Sequence, residues 1–253
     1  MTTTTAPNAI ATLKAYAQDP RIVERYLQIV GHSRTAQVYI SECLLTVANS
    51  KELQACTPAS IITASLRAVT MGLHLDMDEA YLVPFKDQCT LITGYKGMRN
   101  MAIRTNKYRI LHAGPIKAGW TVQFHPITGQ AEHVQEAGAP AGVVAHFEIF
   151  GGFAKSVYMT LPEIHAHAAQ YSKSYDWKSS PWKASDRSRQ VMETKTVFRR
   201  LMLEWGYMDP IARNLIETEE AQTVDPTLPD PPTVTEIETP KKSNAQALAE
   251  LTA

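Results

Sequence analysis

The spacing of apolar residues changes along the chain, and this change limits the fold more than any other feature of the sequence. In the first third, apolar residues recur every three or four positions, which is typical of amphipathic helices. Thr57 and Pro58 add a helix start, since threonine is a good N-cap and proline suits the first helical position. The predicted helices span 10–17, 21–30, 34–48 and 57 to about 72.

In the middle third, apolar and polar residues alternate, which is typical of strands. Gly151 and Gly152 separate two such segments and predict a tight hairpin turn. A tight loop at 94–97 and a short helix at 98–105 follow the first strand pair. The predicted strand pairs are 80–85 with 88–93, 109–116 with 120–124, and 143–150 with 154–160.

Helical spacing returns after residue 160. Thr160 and Glu163 match a capping box, which predicts a helix that ends near residue 171. A polar, aromatic loop follows at 172–184, and Ser185 is a candidate N-cap for a long helix that ends near residue 204. The sequence therefore predicts an α+β fold with N-terminal helices, a central antiparallel β-meander, a long basic helix packed on the sheet, and a disordered C-terminal tail.

Charge is unevenly distributed, although the formal net charge is zero. Residues 217–253 contain eight acids and two bases, whereas the preceding residues contain 17 acids and 23 bases. A basic body with an acidic tail favours a polyanionic partner. The predicted organisation is an N-terminal helical segment at 1–35, a core at 36–215, and an acidic, disordered tail at 216–253 with a candidate short helix at its end.

Several functional classes lack their sequence signatures. The chain has no GxxxxGK[ST], no GxGxxG that opens a helix and no GxSxG, which disfavours P-loop ATPases, dinucleotide-binding enzymes and serine hydrolases. Its three cysteines are too widely spaced for a metal knuckle. Without a signal-peptide pattern or a long apolar segment, we expect a cytoplasmic protein. Since the motifs of these enzyme classes are missing, we expect it to use no ATP and to perform no covalent catalysis.

The predicted long helix carries a cationic face beside an apolar face when it is plotted at 100° per residue. The predicted apolar face comprises Val191, Thr194, Phe198, Leu201, Met202 and Trp205. The cationic face comprises Arg189, Lys195, Arg199 and Arg200. An amphipathic helix with a solvated polar face is the alternative interpretation.

The loop before this helix interleaves aromatic rings with lysines. Its residues of these two kinds are Tyr171, Lys173, Tyr175, Trp177, Lys178, Trp182 and Lys183. Cations follow the phosphates of a single strand, and exposed rings stack on its bases. The combination favours binding of single-stranded nucleic acid.

A second basic cluster follows the first predicted hairpin. It comprises Lys96, Arg99, Arg104, Lys107 and Arg109. Gly94 and Gly97 lie beside it and would allow another backbone to approach closely, with simple turn formation as the alternative.

Two groups of side chains raise the alternative of a metal site. Asp76, Asp78 and Glu79 lie together, as in a metal-dependent nuclease, but a solvated loop end is the favoured interpretation. His165 and His167 stand two positions apart on a predicted helix, so they point to different faces and need distant partners to bind zinc.

Five motifs occur in order between residues 36 and 203. They are TPASI (57–61) with SLRAVTMGLHLD (65–76), AYLVPF (80–85), ITGYKGM (92–98), SPW (180–182) and TKTVFRRL (194–201). In this order and spacing they resemble the RecT family of phage and prophage single-strand annealing proteins, which are recombinases. The 76–80 segment, between the first and second motifs, is shorter and more acidic than the corresponding family loop.

The resemblance implies annealing of complementary strands and strand exchange without nucleotide hydrolysis, in DNA recombination and repair. It also implies a homo-oligomer, as a ring or helical filament on single-stranded and annealed duplex DNA. The implied partners are a phage exonuclease and, through the C-terminal region, the host single-strand-binding protein. The implied location is the bacterial cytoplasm, on the nucleoid when DNA is bound.

The resemblance also places DNA-binding residues at motif positions. These are Tyr95, Lys96, Arg99, Trp182, Lys195, Arg199 and Arg200. The charge pattern alone adds Arg104, Lys107 and Lys178. The alternatives to an annealing protein are a passive single-strand coating protein and, less favoured, the metal-dependent nuclease. A magnesium dependence of DNA binding is left open by the sequence.

Overall fold

The structure is a computed structural model and describes residues 9–119, 123–124, 131–133, 138–172, 175–178, 180–184, 187–219 and 224–232. The chain forms two compact units. Unit 1 comprises residues 1–66, 82–90 and 223–253, and unit 2 comprises residues 67–81 and 91–222. Among the described helices, none combines the length and the apolar character needed to cross a bilayer.

Unit 1 is built on helices whose starts and ends follow local sequence signals. Asp19 accepts a hydrogen bond from the Arg21 N–H, and Pro20 occupies the first turn of the second helix. Gly31 ends this helix with a φ of 69°, a conformation that glycine adopts without a Cβ clash. The helices are α1 (Ala9–Ala17), α2 (Pro20–Val30), α3 (Ser33–Ala48), α4 (Lys51–Gln54) and α5 (Pro58–Thr70), of which α5 continues into unit 2.

A hairpin of β1 (Ala80–Phe85) and β2 (Gln88–Thr93) follows, and its turn belongs to unit 1. The turn uses Lys86 at a φ of 59°. The Asp87 carbonyl accepts from the Thr57 N–H at 2.8 Å, and the Ser60 hydroxyl accepts from the Cys89 N–H at 3.0 Å. These bonds attach the hairpin turn to the first turn of α5.

Part of the predicted disordered tail has defined contacts in unit 1. Asp225 forms an ion pair with Arg25 at 2.9 Å, and its N–H donates to the Thr63 hydroxyl. The Tyr16 hydroxyl donates to the Pro229 carbonyl at 2.6 Å. The expectation of disorder is therefore wrong for residues 224–232, because polar side chains of α1, α2 and α5 bind this segment. Residues 233–253, with the predicted terminal helix, lie outside the described residues.

Unit 2 contains a three-stranded antiparallel sheet in the order β3–β6–β7. Its strands are β3 (Tyr108–Lys117), β6 (Pro140–Ile149) and β7 (Ala154–Thr160), and a separate pair is formed by β4 (Gln123–Phe124) and β5 (Ala131–His133). The register sets Ala145 opposite Ala113 on one side and opposite Val157 on the other. The hairpin predicted at Gly151-Gly152 is confirmed.

The predicted pairing of 109–116 with 120–124 is wrong. Strand β3 pairs with β6 instead, and Gln123–Phe124 pairs with Ala131–His133. Residues 120–122 lie outside the described residues. The physical reason is burial, since pairing with β6 places Leu111 and Ala113 opposite Phe147 and Ala145, which are buried on one face of the sheet.

The α-helices among the described residues of unit 2, apart from the end of α5, are α6 (Tyr95–Arg104), α7 (Leu161–Tyr171), α8 (Arg187–Glu204) and α9 (Pro210–Glu217). The capping box at Thr160 and Glu163 is present, with both reciprocal hydrogen bonds. Helix α8 packs on all three strands of the sheet and also contacts α6 and α7. The predicted α+β fold, with a long basic helix on an antiparallel sheet, is confirmed. The predicted Ser185 cap lies outside the described residues.

The buried face of α8 differs from the predicted one. It comprises Glu193, Val197, Phe198, Leu201 and Met202. Val191 and Trp205 are 43% and 47% exposed, Thr194 is only partly buried, and Trp205 follows the end of α8. The apolar pattern therefore predicted a buried face that is longer than the observed one at both ends of the helix.

Helix α6 begins earlier than the sequence predicts. Gly94 is its N-cap and Gly97 lies in its first turn, so the predicted loop at 94–97 is wrong. A Cβ at Gly97 would overlap the Glu79 carbonyl oxygen, and a Cβ at Gly94 would lie 2.6 Å from the Asp78 carbonyl oxygen. The close backbone approach predicted for these glycines exists, and the approaching backbone is that of residues 78–79.

We expect Gly97→Ala to lower the free energy of unfolding by about 1–3 kcal/mol, because the added Cβ must push α6 away from the Glu79 backbone. The matched control is Gly114→Ala, where the nearest atom is the movable His112 Nε2 at 3.3 Å. Urea unfolding followed by circular dichroism measures both variants. Equal, small losses for the two would contradict the close packing at Gly97.

Candidate nucleic-acid interface

Helices α6 and α8 carry most of the predicted DNA-binding residues, and they pack against each other. The Tyr95 ring meets the buried Phe198 ring edge to face, with centroids 5.0 Å apart. Burial raises the pKa of the Tyr95 hydroxyl. The Tyr95 ring thus packs α6 against α8, the two helices that carry these basic residues.

A buried carboxylate, Glu219, organises the cationic face of α8. It accepts from the Thr93 N–H at 2.8 Å and from Arg199 Nη1 at 3.0 Å. Arg199 Nη2 also donates to the Ile216 carbonyl at 2.8 Å. Glu219 therefore connects the end of β2, the middle of α8 and the end of α9 within unit 2.

The Arg67 guanidinium is also influenced by the charge of Glu219. Its Nη2 donates to the Leu215 carbonyl at 3.0 Å and to the Thr218 hydroxyl at 3.1 Å. Burial lowers the pKa of its guanidinium, and the Glu219 carboxylate partly opposes this shift. Arg67 stabilises the chain after α9, next to the carboxylate that holds Arg199.

Lys195 lies one helical turn before Arg199 and differs from it in having no direct partner. It forms no hydrogen bond or ion pair with the residues that the structure describes. Burial lowers the pKa of its ammonium to about 8; Glu219 raises this pKa and Arg199 lowers it. At neutral pH, Lys195 is thus a charged, poorly hydrated group without a bound counter-charge.

Two other predicted cations of unit 2, Lys96 and Arg200, form ion pairs at the surface. Lys96 is exposed and forms an ion pair with Asp78 at 2.8 Å. Arg200 is exposed and forms an ion pair with Glu204 at 2.9 Å, four residues along α8. Exposed pairs of this kind contribute little stability, so both cations remain able to exchange their partner for a phosphate.

Two predicted arginines of α6 differ in their contacts. Arg104 Nη1 donates to the Gly72 carbonyl at 2.9 Å, beyond the end of α5, and thereby supports the fold. Arg99 is half-buried, with Nη2 3.5 Å from Asn100 Oδ1, and its buried Nε has no hydrogen-bond partner among the described residues. The structural role of Arg104 was absent from the sequence prediction.

The aromatic loop before α8 is partly buried. The Trp182 side chain is 5% exposed, in a short 3-10 helix (Pro181–Lys183) that packs on α8. Its ring lies 5.8 Å from both the His165 and Tyr175 rings. The prediction that Trp182 offers a free stacking face is therefore wrong, because neighbouring rings and α8 cover it. Lys178 is exposed.

The acidic segment before β1 serves the fold. Glu79 is buried, and its carboxylate accepts from the His74 N–H at 2.9 Å and from the Asn100 amide. Asp78 is held by Lys96. Both carboxylates thus have partners within the protein. His165 also binds an acid of the protein, Glu193, at 3.1 Å.

Comparison with known proteins identifies the family of this chain. A sequence model of the RecT family matches residues 37–233. The chain belongs to the RecT family. It is also similar to an uncharacterized protein, YqaK, of Bacillus subtilis (strain 168), with 30% identity over 220 residues, covering 84% of this chain and 74% of that protein.

Membership of the RecT family implies single-stranded DNA binding, oligomerisation and single-strand annealing in DNA recombination. Proteins of this family are annealing proteins and are generally not catalytic enzymes. For this RecT-family chain, the match extends through Glu219 and into the described part of the tail.

Sequence reasoning missed Glu219 and Arg67 in this RecT-family protein. Arg67 lies inside the motif at 65–76, but its place on a predicted amphipathic helix did not indicate the contact with the Leu215 carbonyl. Glu219 lies in a segment rich in threonine and acids, where nothing distinguishes a buried carboxylate from a solvated one. The usable signal was the excess of cations on α8, since a buried cationic cluster requires a carboxylate nearby.

We expect Glu219→Gln to lower the free energy of unfolding by about 1–3 kcal/mol, because Arg199 loses its charged partner. The control is Glu217→Gln, whose carboxylate is exposed and 3.9 Å from Arg213, and which should cost less than about 0.5 kcal/mol. Thermal and urea unfolding measure both. Similar stabilities of the two variants would show that Glu219 does not organise this face.

Proposed function

We propose that this protein binds single-stranded DNA along the cationic face of α8 and anneals it to a complementary strand without ATP, as an oligomer. The proposal rests mainly on the environment of Lys195. Its ammonium is partly desolvated and has no hydrogen-bonding partner among the described residues, so it favours an external anion. A DNA phosphate supplies such an anion.

Two further cations of α8 lie near Lys195 in sequence but on different sides of the helix. Arg199 is held by Glu219 one turn further along α8. Arg200 lies about 140° around the helix from Lys195, contacts the Met159 sulfur of β7 and has an exchangeable ion pair with Glu204. We assign Arg199 a positioning role next to the phosphate path and assign direct phosphate contacts to Lys195 and Arg200. Lys96 and Lys178, both exposed, are proposed to extend the path on α6 and in the loop before α8.

Phosphate contacts carry no sequence information, so such a face accepts any strand. Specificity then comes from base pairing with the second strand, whose formation also supplies the driving free energy. In this mechanism the protein needs no nucleotide cofactor and no covalent step. We propose that magnesium, where it acts, modulates DNA binding and does not take part in catalysis.

The wider setting is proposed from family membership. Protomers placed side by side would extend the cationic face into a ring or helical filament. A phage exonuclease would supply the single strands, and the acidic C-terminal region would contact the host single-strand-binding protein in the bacterial cytoplasm. Each of these partners is testable separately from annealing.

The function is tested by mixing the purified protein with two complementary oligonucleotides, one of them labelled, in the absence of ATP. We expect duplex to form several times faster than in buffer, with a rate that falls as salt increases, because phosphate contacts release counterions. Strand binding without faster annealing would identify a passive coating protein. Loss of intact label in magnesium would instead identify a nuclease.

We expect Lys195→Met to raise the melting temperature while it weakens DNA binding. Because the folded state lowers the pKa of Lys195 to about 8, the charged form costs stability below that pH, and methionine removes the cost. The gain should shrink between pH 8 and about pH 10, where the native lysine is neutral in the folded protein. Differential scanning calorimetry and fluorescence anisotropy measure the two effects.

The control for this variant is Lys51→Met, which removes an exposed lysine of α4 in unit 1. It should leave both stability and DNA affinity nearly unchanged. If Lys195→Met kept full affinity, the cationic face of α8 would not be the DNA path.

A further inference from the structure

A second group of residues in unit 2 combines exposed aromatic rings with lysines. We call it the ring-and-lysine surface; its residues are Lys107, Phe150, Phe153, Lys155, Trp205 and Tyr207. The four rings are 66%, 48%, 47% and 55% exposed, in chain order. Rings of this size are usually buried, so four exposed ones in one region indicate a binding surface.

Contacts between the elements bring these residues together at one end of the sheet. The Phe150 N–H donates to the Lys107 carbonyl at 2.9 Å, which joins the β6–β7 turn to the start of β3. The Tyr108 hydroxyl donates to the Tyr207 carbonyl at 2.8 Å and accepts from the Tyr207 N–H. The segment after α8 is therefore fixed beside the same turn.

Arg213 fixes this segment further. Its guanidinium donates to the carbonyls of Leu203 and Gly206, which lie on either side of Trp205. Trp205 and Tyr207 thus stand on a backbone that is bound from two sides while their rings remain exposed. A preorganised ring loses little conformational entropy when a flat partner stacks on it.

Each of the two rings after α8 has a lysine over it. Lys155 Nζ lies 4.3 Å from the Trp205 ring centroid, and Lys107 Nζ lies 5.6 Å from the Tyr207 ring centroid. Neither ammonium forms an ion pair with the described residues. The other charges of this end have partners within the protein, since Arg109 pairs with Glu148 and Asp209 caps α9.

The composition of the surface decides the kind of ligand. Lysine is depleted in the cores of protein–protein interfaces, whereas cations beside exposed rings characterise single-strand sites. We propose that the ring-and-lysine surface binds single-stranded DNA, with bases stacked on Trp205 and Tyr207 and phosphates held by Lys107 and Lys155. This proposal rests on the proposed function, because it adds a second strand-binding surface to an annealing protein.

The experiment compares a thymidine oligonucleotide with one of equal length that carries abasic sites, which keep the phosphates and remove the bases. We expect the abasic strand to bind the wild-type protein at least about fivefold more weakly, as loss of stacking predicts. In Trp205→Ala/Tyr207→Ala this abasic penalty should disappear or fall severalfold. The control is Leu45→Ala, which removes a 64% exposed apolar side chain from α3 in unit 1 and should keep the penalty.

A second variant tests the lysines. Lys107→Gln/Lys155→Gln should make the dependence of log affinity on log salt shallower by about 1.4, because two phosphate contacts are lost on a single strand. An unchanged salt slope together with an unchanged abasic penalty in the ring variant would overturn the proposal. Sedimentation of the Trp205→Ala/Tyr207→Ala variant without DNA tests a further outcome. If this variant formed a smaller oligomer than the wild type, the surface would be an interface between copies of the chain, and the proposal would also be overturned.

These outcomes are distinct from failure of the proposed function. If the wild-type protein bound neither oligonucleotide, the proposed function itself would fail before any variant was compared. If the wild type bound and annealed DNA but the ring variant kept the full abasic penalty, only the ring-and-lysine surface would be rejected.

Discussion

The hydrogen bonds of one buried carboxylate hold the candidate interface together. Glu219 binds the Thr93 N–H and Arg199, so β2, α8 and the chain after α9 meet at a single acidic group. Arg199, Lys195 and Arg67 surround that group, and one negative charge balances only part of their positive charge. An incomplete internal balance of this kind leaves unit 2 with an affinity for an external anion, while the fold remains stable enough to present it.

Local patterns predicted most of the fold because the relevant interactions are local. The capping box at Thr160 lies within four residues, and the hairpin at Gly151-Gly152 joins neighbouring strands. The pairing of β3 with β6 joins strands about 30 residues apart, and alternation alone does not specify which strand is the partner. The sequence therefore predicted the three strands of the main sheet, but it missed β5 (Ala131–His133) and assigned β3 the wrong neighbour.

The candidate site was predicted less well than the fold, for a related reason. Composition and helical spacing identified the cations of α8 and the aromatic residues near it, but exposure depends on tertiary packing. Trp182 and Trp205 are the same residue type with opposite environments: the 3-10 helix buries the first against α8, and the end of α8 exposes the second. Nothing in the neighbouring sequence distinguishes them. The sequence therefore indicated the buried Trp182 as a DNA-binding residue and placed the exposed Trp205 in the core.

The contrast between Arg199 and Lys195 separates structural cations from binding cations more sharply than charge alone. A guanidinium with five donors can bind a carboxylate and a carbonyl together, and Arg199 does so, which fixes its position. An ammonium on a flexible chain is a compact charge that loses hydration when it is partly buried, and Lys195 loses it without a direct partner in return. Folding therefore gains from the first cation and is opposed by the second. A residue that opposes folding at neutral pH, beside one that is firmly held, is the physical signature expected where a ligand completes the electrostatics of a site.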